Sequence, residues 1–260
     1  MKDKRLFLLD MDGTLYLGDK IFEGTVSFLN KIKQIGGRYA FLTNNSSKST
    51  EKYVEKLAKL GICSCNEDFL TSTDATIEYI KTNYPFVKFY CMGTKSFVEQ
   101  LNSSGINVAT EFSEDVNGVL ISNDTELTFE KLDIASRLLT DRNVIYIATN
   151  PDWTCPTEYG FVPDCGSFAD ILFRATGKKP YFIGKPEPYM IYLAMQKYGY
   201  SAKETVIIGD RIYTDIASGV NAGIDSILVL SGETKLVDLE KSSIVPTYVF
   251  DGINDIKNLI

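Results

Sequence analysis

The chain has 260 residues, 44% hydrophobic and 23% charged, with a formal net charge of −7 and no histidine. Such a composition fits one large or two modest domains. It argues against a polyanion-binding surface, which needs a broad field of Lys and Arg, and the lack of histidine removes Ser-His-Asp and Cys-His catalysis and the usual zinc sites.

The start MKDKRLFLLD is basic, but its apolar run is too short for a signal peptide and ends in acid. No apolar run approaches the length of a membrane span. Cys63, Cys65, Cys91, Cys155 and Cys165 form no CxxC pair and read as reduced, buried, inert thiols, the alternative being redox sensitivity of Cys63 with Cys65 or Cys155 with Cys165. A cytoplasmic protein without nucleic-acid or membrane partners is expected.

Leu6 to Leu9 is a continuous apolar run ended by Asp10, Asp12 and Gly13, the pattern of a strand buried on both faces. Thr14 adds a hydroxyl. Phe28, Leu29, Ile32 and Ile35 fall at helical spacing before Gly36-Gly37. Tyr39 to Thr43 reads as a second buried strand, with Asn44, Asn45, Ser46 and Ser47 as its polar exit. Ser49 is placed to cap a helix reaching Leu60, with Tyr53, Val54 and Leu57 inward. A short strand at 69–72 and a helix ending near Asn83 follow.

The alternation continues through strands at 87–92, 118–122 and 144–149, with helices at 95–101 and 129–139. Residues 150–166 read as a loop, and Phe168 to Ala175 as a helix. Tyr181 to Gly184 leads into Lys185-Pro186. A helix at 189–198, a buried strand at 205–208, a helix at 215–222 and strands at 227–230 and 248–250 complete the chain. Alternating β and α elements predict an α/β fold with a Rossmann-like parallel sheet.

Four groups stand at expected strand ends: Asp10 with Asp12, Thr43 with Asn44, Lys185, and Asp210 with Asp215. Taken singly, each has an ordinary explanation, since Asp ends strands and caps helices and Thr-Asn-Asn is common turn chemistry. In one parallel sheet they would converge on one edge, where ligand crevices form. Clustered carboxylates repel one another and call for a bound metal or raised pKa values. Oxygen ligands without His or Cys favour a hard ion such as Mg²⁺.

The runs DMDGT at Asp10–Thr14, LTNN at Leu42–Asn45, GKP at Gly184–Pro186 and GDRIYTD at Gly209–Asp215 resemble, in order, the four motifs of the haloacid dehalogenase-like superfamily. TNPD at Thr149–Asp152 and TGKKPYFIGKPEP resemble its NagD-like branch, which includes 4-nitrophenyl phosphatases and sugar phosphatases. The resemblance implies a catalytic core over 1–83 and 180–260 with an α/β cap domain inserted over 84–179. It implies a Mg²⁺-dependent phosphatase acting on small phosphorylated metabolites through an aspartyl phosphate. The alternatives are a phosphotransferase or a catalytically idle phospho-ligand-binding protein, and retention of Asp10, Asp12, Lys185 and Asp210 weighs against the latter.

By the same resemblance, Asp10 is the nucleophile and Asp12 the proton carrier. Thr43, Asn44 and Asn45 hold the phosphoryl group together with Lys185. Asp10, Asp210 and the main-chain oxygen of Asp12 bind Mg²⁺, and Asp215 orients the metal shell. Asp152 and Trp153 are cap candidates for substrate contact, or else Asp152 makes a turn and Trp153 packs the cap. Pro163-Asp164-Cys165-Gly166 departs from the Pro-Gly-x-Gly usual in that branch. A homodimer stays open, although no residue pattern marks its surface.

Overall fold

The computed structural model describes residues 1–46, 50–157 and 159–260, with the side chains of Pro156 and Asn258 outside the description. Ser47 and the expected cap at Ser49 lie outside the described residues. The chain divides into two compact units. One comprises residues 1–43, 49–70 and 185–260, and the other 44–48 and 71–184.

The first unit is built on a six-stranded sheet. Its spatial order is Tyr248–Phe250, Asp225–Val229, Thr205–Gly209, Leu6–Leu9, Arg38–Thr43 and Phe69–Thr71. Leu6–Leu9 pairs in parallel with Arg38–Thr43 on one side and with Thr205–Gly209 on the other. The chain thus leaves this strand in one direction early and returns on its opposite side late. That reversal is the topological switch point at which a parallel sheet opens a crevice beyond its strand ends, and Asp10 is the next residue.

All four side chains of Leu6–Leu9 are buried. They are apolar without alternation because both faces of a central parallel strand are covered. On one face, the helix Thr25–Gln34 buries Phe28, Leu29 and Ile32, and Phe28 meets the Phe7 ring edge-on at 6.1 Å. Burying a side chain of this size contributes roughly 1.5–3 kcal/mol. The helix Thr50–Lys59 adds Tyr53 and Leu57 to the same core, with Val54 half-buried against it.

The second unit contains a five-stranded sheet in the order Tyr181–Phe182, Ile145–Ala148, Gly118–Ile121, Phe89–Met92 and Val108–Ala109, with every neighbouring pair parallel. Helices Phe129–Asp141 and Cys165–Thr176 pack Leu138, Leu139, Phe168 and Leu172 onto Tyr90, Val119, Ile121 and Ala148.

Three sequence-based expectations change here. The segment 150–166 is not a plain loop: Thr154–Thr157 and Gly160–Pro163 form an antiparallel hairpin. Its prolines, Pro156 and Pro163, mask the strand pattern, because proline supplies no ladder N–H and is confined to edges. The strand before Lys185 does not join the first sheet. Tyr181–Phe182 pairs with Ile147 and Ala148 of the second unit, and Tyr79 of the helix Ser72–Asn83 stacks on Tyr181 at 5.2 Å. That helix and residues 180–184 therefore belong to the second unit, whereas 1–83 and 180–260 were expected to lie together. A short apolar run announces a strand but not the sheet it joins.

Cys91 and Cys165 are buried as expected, but Cys155 is only half-buried and Cys63 and Cys65 are exposed. The Cys65 thiol donates to Asp68. No helix among the described residues is long and apolar enough to cross a membrane.

Candidate active site

The carboxyl ends of Leu6–Leu9 and Thr205–Gly209 lie side by side, with Leu9 in register with Ile208. Asp10 leaves the first strand and its N–H donates to the Ile208 carbonyl at 2.9 Å. Asp210 leaves the second. Carboxylate oxygens of Asp10, Asp210 and Asp215 all lie within 4.8 Å of one another. Parallel pairing alone brings the two aspartates together across two hundred residues of sequence.

Asp215 arrives by a different device. It was expected to begin a helix, but Ile212–Ile216 forms a wide π-type turn ahead of the helix Ala217–Ala222. Such turns occur often at functional sites. One carboxylate oxygen of Asp215 accepts the Arg211 N–H at 3.1 Å, and the other faces Lys185.

Lys185 is not at the end of a first-sheet strand. It reaches the cluster from the loop after Gly184. Its ammonium, 3% exposed as a side chain, donates to Asp10 Oδ1 at 2.7 Å, Asp215 Oδ1 at 2.6 Å and the Leu42 carbonyl at 3.2 Å. A buried cation is tolerated here because each donor has an anionic or carbonyl partner.

The electrostatics follow. Burial pushes the Asp10 carboxyl up to about 7; Lys185 opposes that rise, while Asp215 and Asp210 add to it. Burial, then Asp215, pushes Asp210 up to about 6. Burial works against the Lys185 ammonium, but Asp10 and Asp215 outweigh it and hold the group above the ordinary lysine range. One ammonium among three carboxylates leaves an excess of negative charge. All donor atoms are hard oxygens, so the cluster suits a hard divalent cation.

The backbone is shaped around Asp210. Gly13 has φ +84°, and a methyl group there would run into the Asp210 carboxylate. That carboxylate accepts the Glu233 N–H at 2.7 Å and faces the Thr14 hydroxyl at 3.4 Å. Ser231 ties this side to the first turn by donating to the Gly13 carbonyl at 2.7 Å. Arg211 pairs with Glu233 at 2.9 Å, and Tyr213 donates to the same carboxylate at 2.7 Å.

Asp12 is apart from the buried cluster. Its side chain is 52% exposed, and Lys56 of the helix Thr50–Lys59 lies 3.7 Å from its Oδ2. Thr43 ends its strand as a buried residue. Asn44 and Asn45 belong to the second unit. There Asn44 Nδ2 donates to Asp152 Oδ1 at 3.2 Å, and the Asn44 carbonyl accepts from Asn150 and Ser72. Trp153 beside them is 60% exposed, so it does not pack the interior of its unit.

The structure therefore joins Asp10, Lys185, Asp210 and Asp215 by direct contact or close approach, and separately joins Asn44 to Asp152. Lys56, Glu233 and Ser231 escaped the sequence reading. Lys56 is one of several lysines in KSTEKYVEKLAK, and SGETK follows the strand expected at 227–230 without a carboxylate at the strand's end or a recognisable motif to draw attention.

Family models agree with this architecture. Residues 7–107 match the haloacid dehalogenase-like hydrolases, and residues 182–256 match a HAD-hydrolase-like model. An acid sugar phosphatase of Staphylococcus aureus is 35% identical over 255 residues, covering 98% of this chain and 97% of that protein. The solved 4-nitrophenylphosphatase of Thermotoga maritima superposes with a TM-score of 0.92 at 36% identity, covering 99% of this chain and 97% of that one. A glycerol phosphate phosphatase of Mycobacterium tuberculosis, solved in complex with magnesium, gives a TM-score of 0.89 at 26% identity, covering 98% and 78%. Structures of NagD type also match along the whole chain. With four motifs in order, a switch-point aspartate cluster and relatives matched end to end, the chain belongs to the haloacid dehalogenase-like hydrolases, on their NagD-like side.

Proposed function

We propose that the protein is a Mg²⁺-dependent phosphatase of small phosphomonoesters, of sugar-phosphate or nucleotide type, working through an aspartyl phosphate. The observation that carries this reading is the Lys185 ammonium lodged between the Asp10 and Asp215 carboxylates, with Asp210 alongside. A phosphomonoester is largely a dianion at neutral pH, and Asp10 has to approach it as an anion. Two unit charges ~4 Å apart repel by roughly 4 kcal/mol at an effective dielectric of about 20. Lys185 offsets part of that repulsion and holds the Asp10 carboxylate in place.

Asp10 and Asp210 would hold the ion together with the main-chain oxygen of Asp12, and Asp215 would fix the arrangement through Lys185 and the Arg211 N–H. When bound, Mg²⁺ supplies charge neutralisation and alignment of the phosphoryl oxygens. The Mycobacterium tuberculosis relative solved with magnesium supports that choice of ion.

In the first step an Asp10 oxygen attacks phosphorus and the ester P–O bond breaks. Asp12 gives its proton to the departing alkoxide oxygen. In the second step water attacks the phosphorus of the aspartyl phosphate, Asp12 takes the water's proton, and the bond to Asp10 breaks. Inorganic phosphate leaves and both aspartates are restored. Splitting hydrolysis in this way replaces one difficult step with two easier ones. The exposure of the Asp12 side chain supports its role, since its partner is a leaving group that comes and goes.

Thr43 supplies a hydroxyl to the transferring group, and the family resemblance adds Asn44 and Asn45. The second unit serves as the cap and carries substrate choice, with Asp152 and Trp153 as its contact residues. The names of the sugar, glycerol-phosphate and nitrophenyl phosphatase relatives support small monoesters as the substrate class. The test is phosphate release from 4-nitrophenyl phosphate and a panel of sugar phosphates and nucleotides, with and without Mg²⁺. Release that depends on Mg²⁺ and disappears in Asp10→Asn supports the reading. No release above that variant across the panel would sink it.

A further inference from the structure

A lysine outside the four motifs stands against the exposed aspartate. Lys56 lies on the helix Thr50–Lys59, and its ammonium is 3.7 Å from Asp12 Oδ2. That separation is an ion pair, longer than a hydrogen bond. The same ammonium sits 4.2 Å from the centroid of the Tyr16 ring, in cation–π range. The contact holds the charge without using its hydrogen-bond donors.

Tyr16 is not an incidental neighbour. It is buried, and it closes the turn that carries Asp12: Gly13 N–H donates to the Tyr16 carbonyl at 2.7 Å, and Asp12 bridges to Tyr16. One turn therefore presents both the carboxylate and the aromatic face that steadies its cation. The lysine is also distinct from its helical neighbours. Lys52 and Lys59 on the same helix are exposed, whereas the Lys56 side chain is only 29% exposed.

Asp10, Asp210 and Asp215 are fixed by Lys185 and by backbone N–H groups. The Asp12 side chain is 52% exposed and faces the Lys56 ammonium. A carboxylate that hands a proton to a leaving oxygen acts only when it is within hydrogen-bond reach of that oxygen.

We infer that Lys56 is a positioning residue for Asp12, holding the exposed carboxylate in the orientation from which it protonates the leaving group. The assignment rests on the phosphatase reading above. Its consequence is specific to the leaving group. A nitrophenolate departs with little help from a proton, whereas an alkoxide does not. Loss of Lys56 should therefore harm alkyl esters more than 4-nitrophenyl phosphate. The quantity that isolates this step is kcat/KM, which covers events up to departure of the leaving group.

The experiment compares wild type, Lys56→Met, Lys56→Arg and the control Lys59→Met on 4-nitrophenyl phosphate and glycerol phosphate, both with Mg²⁺. Positioned proton transfer contributes about 10²–10⁴-fold, so a partial loss of aim should cost about 10-fold. In Lys56→Met, kcat/KM for glycerol phosphate should fall about 10-fold relative to that for 4-nitrophenyl phosphate. Lys56→Arg should restore the ratio, and Lys59→Met should leave it alone. An equal fall in kcat/KM for both esters, or no fall for either, would overturn the assignment while leaving the phosphatase reading intact. Wild-type protein that releases phosphate from neither ester would remove the phosphatase reading and this assignment together. Thermal melting of each variant identifies misfolding. Lys56→Gln replaces the methionine variant if the latter melts early, and the same ratio then decides.

Discussion

Replacing Lys185 by Met tests the electrostatic account of the site most severely, because one side chain holds two carboxylates. Its ammonium lies 2.6 Å from Asp215 and 2.7 Å from Asp10, with side-chain exposures of 3%, 1% and 18% for the three groups in that order. At an effective dielectric of about 20, each contact corresponds to a gross attraction of about 6 kcal/mol. Most of that repays the desolvation of buried ions. The net cost appears when one partner is removed and the other is left buried, typically about 3–5 kcal/mol. For a chain of this size that corresponds to a fall in Tm of about 6–20 °C. The functional loss has a separate cause. Lys185 is the principal influence opposing the burial-driven rise of Asp10. Without it the burial-driven rise of Asp10 goes unopposed by its main cation, and the anionic form that attacks is disfavoured. Turnover at pH 7 should fall at least about 100-fold, the scale seen when one preorganised charge contact is deleted. Thermal melting and Mg²⁺-dependent release of 4-nitrophenol measure the two effects independently. A variant melting within about 2 °C of wild type and keeping most of its turnover would refute the reasoning.

Three further outcomes follow from the same geometry. Gly13→Ala puts a methyl group against the Asp210 carboxylate on a backbone with φ +84°. The strain costs about 1–3 kcal/mol, and calorimetric titration should show Mg²⁺ affinity reduced; unchanged affinity would contradict the placement of Asp210. Metal-free protein should also lose stability as pH rises through about 6 and about 7, because Asp210 and Asp10 reach those values when folded against 3.8 in the unfolded chain. The native state then binds more protons than the unfolded state across that window, so its advantage is complete below about 4 and fades above it. Mg²⁺ should raise Tm more at pH 7.5 than at pH 5, since binding needs ionised carboxylates. Equal stabilisation at both pH values would argue against Asp10 and Asp210 as ligands.

Much of this site was legible because central parallel strands announce themselves. LFLL and the VII of TVIIG are unbroken apolar runs; Asp10 follows the first directly and Asp210 follows the second after Gly209, and sheet pairing brings the two carboxylates together. Asp10 and Asp210 could be found from that pattern alone, and Lys185 from its motif. The sheet preceding Lys185 could not be found so. Tyr181–Phe182 is short, and its choice of Ile145–Ala148 as partner depends on contacts such as Tyr79 with Tyr181. The helix Ser72–Asn83 misled for a related reason: β-α alternation reads as a crossover, but a helix joins whichever unit buries its face. Asp215 looked like a helix cap because a π-type turn has no signature in IYTD that separates it from an ordinary first turn. Lys56 was silent because its spacing is that of any solvated helical lysine.

The central claim is that Asp10 carries the phosphoryl group between two steps. Asp12→Asn exposes this most directly, because asparagine can still leave Asp10 and Asp210 to hold Mg²⁺ but cannot take a proton from water. With 4-nitrophenyl phosphate, whose leaving group needs little protonation, the first step should proceed and the second should stall. Rapid acid quench followed by mass spectrometry of the peptides should find phosphate on the Asp10 carboxylate of this variant, with steady-state turnover largely lost. Full turnover in Asp12→Asn, or phosphate on any other residue, would contradict the account.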